Sequence, residues 1–128
     1  MKTRTLLNRA GWIAAAVLAV VAMSGCSRNG LSPQATAEAL QKSFAKADPD
    51  VKQEVAQAGA ALQAGDYTRA LIAMDRAAQA RPVDAEQKKA VGFLIQQTRQ
   101  AVQQNPKLNT PELYQATADL ILRVHGEN

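Results

Sequence analysis

The chain has 128 residues, with 15 Lys and Arg against 11 Asp and Glu, one His and one Cys. A single cysteine excludes an internal disulfide, so the fold must be held by packing alone. With one histidine besides, a transition-metal site lacks its usual ligands, and the Ser-His and Cys-His pairings of nucleophilic catalysis have nothing to build on.

The chain opens with Lys2, Arg4 and Arg9, followed at residues 10–23 by a run of 14 residues without a charge. A membrane span needs about 20 apolar residues, so the run has the proportions of a signal-peptide core, and its length disfavours the competing reading of an uncleaved anchor. It ends in Met23, Ser24, Gly25, Cys26 and Ser27. This junction resembles the lipobox of bacterial lipoproteins, with Met23 where leucine is usual. Small Ser24 and Gly25 suit an extended backbone in a peptidase cleft, and only a thiol is nucleophilic enough to take the lipid. The resemblance implies that residues 1–25 are a cleaved lipoprotein signal peptide and that Cys26 carries a diacylglyceryl group, a covalent lipid and no other cofactor. It also implies acylation of the new amino terminus. An aspartate after the cysteine commonly retains such proteins at the inner membrane; Ser27 in its place implies sorting to the outer membrane, facing the periplasm of a diderm cell. An unpaired cysteine in an exported chain is otherwise unusual.

Removing residues 1–25 leaves 103 residues, enough for one small domain, and 12 basic against 11 acidic side chains, because three of the cations lie in the leader. A net charge near +1 gives no support for nucleic-acid binding, which wants a concentrated basic face. Residues 26–32 form the cysteine and a short tether; at ~3.3 Å per residue it would hold the domain about 20 Å from the acyl chains.

Across residues 33–128, prolines and glycines divide the chain into helix-length pieces, and no stretch alternates like a strand. The reading is all-α, with about five antiparallel helices. Ser32 and Pro33 start the first, which is expected to reach about Ala47 with Ala37, Leu40 and Phe44 on one face. Asp48 and Pro49 start the second, whose stripe is Val51, Val55, Ala58 and Leu62 and which stops at Gly65. Asp66 caps the third, with Ala70, Met74, Ala77 and Ala78 on its apolar face and Leu71 and Ile72 widening the burial; Pro82 ends it. Asp84 and Gln87 form a capping box for a fourth helix reaching Gln104. Its stripe is Val91, Leu94, Ile95, Thr98 and Val102, and Phe93 projects to a second side that is expected to be covered by another neighbour. Thr110 and Pro111 start the last, with Leu113, Ala116, Leu120, Ile121 and Val124 before Gly126.

Residues 65–82, GDYTRALIAMDRAAQARP, resemble the second half of a tetratricopeptide repeat. Gly65, Asp66 and Tyr67 stand at the turn, and Ala70, Met74, Ala77 and Pro82 follow at the family's spacing. Pro49 and Pro82 are 33 residues apart, near the ~34-residue period of the family. The first half of the repeat and the one that would follow are degenerate. The resemblance implies tetratricopeptide-like helical hairpins in which Gly65, Ala70, Ala77 and Pro82 maintain the fold, with the first and last helices as caps. An unrelated helical bundle carrying the same short motif is the competing reading.

Candidate chemistry is sparse. His125 falls in the last turn of the last helix, where the helix dipole favours a cation and solvent surrounds it. Asp48, Asp50 and Glu54 form the tightest acidic group, but Lys52 and Gln53 break the calcium-loop pattern. Capping accounts for Asp48 and solvation for the other two. Lys88 and Lys89 read as a solvated helix face. The many glutamines keep the helices soluble without charge. The expected function is therefore not enzymatic: a lipid-anchored envelope protein offering a helical surface to an envelope protein or peptide, as adaptor or scaffold. The alternative is a periplasmic carrier or sensor of a small apolar ligand, held between helices next to the Leu- and Ile-rich last one.

Overall fold

The structure, a computed structural model, describes residues 32–126. The leader, Cys26 and Ser27 lie outside the described residues. Among the described residues five α-helices follow one another: α1 (Pro33–Ser43), α2 (Pro49–Gln63), α3 (Tyr67–Gln79), α4 (Ala85–Gln104) and α5 (Pro111–His125), with a 3-10 turn at Pro106–Leu108. There is no strand among the described residues, so the fold is all-α as the sequence predicts. None of these helices is long and apolar enough to cross a membrane.

The helix starts are set by local chemistry. Ser32 Oγ accepts the Ala35 N–H at 3.0 Å, Asp66 Oδ1 accepts that of Arg69 at 3.1 Å, and Thr110 Oγ1 accepts that of Leu113 at 3.1 Å. Each satisfies an amide that the first helical turn leaves without a partner. The Asp84 box is reciprocal: its carboxylate accepts the Gln87 N–H at 2.8 Å, and the Gln87 side chain accepts the Asp84 N–H at 3.0 Å. Asp48 departs from the pattern. It holds the N-cap position of α2 but makes no side-chain capping bond; its carboxylate instead lies 3.3 Å from the Arg81 guanidinium.

Helix α1 ends at Ser43, earlier than the sequence predicts. Pro49 holds the residue before it out of the helical region, and Asp48 is accordingly extended at ψ 155°. The reversal must therefore be completed upstream, and the backbone tightens with Ala45 N–H donating to Lys42 O at 3.3 Å and Ala47 N–H to Phe44 O at 3.0 Å. Phe44 becomes the residue after the helix, with its ring buried at the end of the core. Helix α2 ends where Gly65 adopts φ +81°, a conformation that costs a residue with a Cβ.

Helix α1 packs against α2, α2 against α3, and α3 against α5. Helix α4 packs chiefly on α1 and only lightly on α3, its predecessor in the chain. One connected core results, in which Leu40, Leu62, Leu71, Met74, Leu94 and Leu120 are fully buried. Each such side chain contributes about 1.5–3 kcal/mol by leaving water. Ala58, Ala70 and Ala77 are also buried, and their small size lets the helix axes approach. Ile72 does not widen the core as expected: it is 41% exposed, whereas the neighbouring Leu71 is fully buried.

Candidate interaction cleft

The carboxyl end of α1, the amino end of α2, the carboxyl end of α3 and the amino end of α4 converge around one cleft of ≈ 670 Å³. Its volume lies within the ~300–1,000 Å³ range of ligand pockets. The α1 and α4 ends are tied by the Gln87 amide, which donates to the Ser43 carbonyl at 3.3 Å. Gln87 therefore caps its own helix and anchors it to another.

The interior of the cleft comes from stripes whose last residues run out at the helix ends. Phe44, Val51, Ala77 and Ala90 are buried and form its apolar floor. Phe93 is half-buried and forms a wall. Helix α4 has two helical neighbours, α1 and α3, and Phe93 itself faces the cleft. The rim is charged and exposed, with Lys42, Lys46, Arg81 and Lys89 against Asp48, Asp84 and Glu86.

Two other concavities are less well built. A trough between α2 and α3 beside Ala60, Ala64 and Ile72 has a volume of ≈ 810 Å³, yet only Ala61 and Ala73 of its lining are buried. A smaller hollow of ≈ 230 Å³ lies where Arg81, Pro82 and Lys88 approach Arg123 and Val124 of α5. Tyr114 and Leu122 stand exposed on α5; isolated apolar side chains of this kind are ordinary on a protein surface.

The residues singled out from sequence are distributed as follows. Gly65, at the α2 to α3 turn, lies away from the cleft, while Ala70 and Ala77 are buried in α3 and Pro82 follows its end at the rim. His125 is exposed in the last turn of α5. Asp48 faces Arg81 across the cleft rim, and among the described residues no three His, Cys, Asp or Glu side chains gather as a metal site would need. Lys89 belongs to the cleft and Lys88 to the smaller hollow. Sequence reasoning missed Lys42, Lys46, Arg81 and Phe93 as members of one site. The one signal available was Phe93, a large aromatic off the stripe of its helix. No family model, curated protein or solved structure matches this chain.

Proposed function

We propose that the chain is a lipid-anchored envelope protein whose helical domain is an interaction module, an adaptor or scaffold that docks a protein or peptide in the cleft. The observation that carries the docking reading is the cleft itself, an apolar floor of Phe44, Val51, Ala77 and Ala90 opening between charged rims at the meeting point of four helix ends. Apolar contact supplies affinity in such a site and the charged rim supplies orientation. The exposed charges favour a polypeptide over a small apolar ligand, which would leave most of the rim unmatched.

The anchor reading is supported by the lipobox-like junction of Met23 to Ser27, with Cys26 as the lipidated residue and Ser27 directing the protein to the outer membrane. The α2 and α3 pair is read as a tetratricopeptide-like hairpin with α1 and α5 as its caps. The left-handed backbone at Gly65, the burial of Ala70 and Ala77, and the packing of α1 on α2 and α5 on α3 support that reading.

Labelled palmitate fed to living cells should enter the protein and be lost in Cys26→Ala; a wild-type chain that takes up none would remove the anchor. A photoreactive benzoyl-phenylalanine in place of Phe93 should crosslink a specific envelope protein. The same group in place of Tyr114, on α5, should not. Crosslinks from Tyr114 alone would move the interaction surface away from the cleft.

A further inference from the structure

We infer that the cleft opens into the aqueous space at the pole of the domain remote from the membrane, so that the segment docking there belongs to a polypeptide outside the bilayer and not to a membrane-embedded one. The inference rests on the anchor and docking readings above and adds the side from which the partner comes.

The direction of α1 decides it. The helix is capped by Ser32, where the tether from Cys26 joins the domain, and its other end, Lys42 to Phe44, lines the cleft. Its 11 residues, at ~1.5 Å each, hold the two about 16 Å apart. Helix α4 repeats the separation. Its amino end lines the cleft through Glu86, Gln87, Ala90 and Phe93 and is tied to the α1 end by the bond from Gln87 to the Ser43 carbonyl. Lys107 follows its carboxyl end, 20 helical residues or about 30 Å further on. For the mouth of the cleft to meet lipid, Ser32 would have to stand at least the length of α1 above the membrane surface, and higher still by the reversal from Phe44 to Asp48, which also lines the cleft. The six residue steps from Cys26 to Ser32 span at most about 20 Å, and about 5–7 Å of that lies within the headgroup layer. The remainder, about 14 Å, is shorter than α1. The opposite pole, with Ser32 and Lys107, is the one that the tether holds to the bilayer.

The test uses the full lipidated chain in vesicles that contain a phosphatidylcholine with a nitroxide on its headgroup, which quenches a fluorophore only at short range. In that chain the Cys26 thiol is blocked by lipid, so a single bimane is placed through Lys46→Cys at the cleft or Lys107→Cys at the opposite pole; both side chains are exposed. Quenching at residue 107 should exceed that at residue 46 at least about twofold, because the two positions differ in height by about a helix length. Inserting about twenty Gly and Ser residues between Gly30 and Leu31 should remove the difference, because the longer tether no longer restricts the orientation. Equal quenching, stronger quenching at residue 46, or a difference that survives the insertion overturns the inference while the anchor stands. A chain that carries no lipid and does not sediment with the vesicles removes the anchor, and the inference with it. On the partner side, the photoreactive group at Phe93 should capture a residue outside any membrane span. Capture of a residue within a span overturns the inference, and no capture at all removes the docking reading together with its partner.

Discussion

Gly59 of α2 lies directly against Ala37 of α1: a Cβ added at Gly59 would stand 3.2 Å from the Ala37 Cβ and 3.7 Å from the Gln41 amide nitrogen. Both residues are buried, so the two helices meet here nearly backbone to backbone. Gly59→Ala should be close to neutral, because a gain of about 1 kcal/mol in helix propensity is offset by the crowding. Gly59→Leu should destabilise by about 1–3 kcal/mol, as overpacking of a tight interface does. Urea denaturation followed by circular dichroism separates the two; a Leu variant as stable as wild type would contradict the close approach.

Gly92 and Gly65 have open space instead. Gly92 lies within α4, and a Cβ there would meet nothing within 4 Å. Gly92→Ala should therefore raise stability by about 0.5–1 kcal/mol through helix propensity alone. Gly65 also has open space around it but sits at φ +81°, so Gly65→Ala should lower stability by about 1 kcal/mol. Opposite shifts in the denaturation midpoint are the expected result.

Thr36 is fully buried on α1, and its Oγ1 has no hydrogen-bond partner. An unsatisfied buried hydroxyl carries a desolvation penalty that a methyl group of the same shape does not. Thr36→Val should raise stability by about 1 kcal/mol, and Thr36→Ala should lack that gain because it opens space in the core. A Val variant less stable than wild type would show that the hydroxyl is satisfied in solution.

Arg123 ties α5 to α3 by pairing with Asp75, whose carboxylate also accepts the Gln79 amide at 3.0 Å. The side chains in this pair are 37% and 17% exposed, whereas those of Arg81 and Asp48 are 76% and 60% exposed. Solvent screens the second pair more strongly. Asp75→Ala should therefore lower stability by about 0.5–1 kcal/mol, with the loss shrinking in molar salt, and Asp48→Ala should change it by less than about 0.5 kcal/mol. Equal losses from the two substitutions would mean that exposure does not rank them.

Helix starts were legible because each is decided within four residues. Ser32, Asp66, Asp84 with Gln87, and Thr110 all cap through bonds to an amide three positions on, and the pattern is visible as letters. Asp48 carries the same letters beside Pro49, yet its carboxylate faces Arg81, a residue from the end of another helix. Local grammar names the candidates for a cap, and a distant charge decides between capping and pairing. The end of α1 was misplaced for a related reason: the helix pattern persists to Ala47, but the reversal required before Pro49 consumes its last turn.

The sequence by itself determined the helical class, the helix starts and the apolar stripes, because the helical period and capping chemistry act over one or two turns. Only the tertiary structure decided that α4 returns to α1 instead of settling on α3, that Ile72 stays at the surface, and that Lys42, Lys46, Lys89 and Phe93 share one cleft. Those outcomes depend on how finished helices pack side by side, a competition among whole faces that the periodicity of any one helix does not contain.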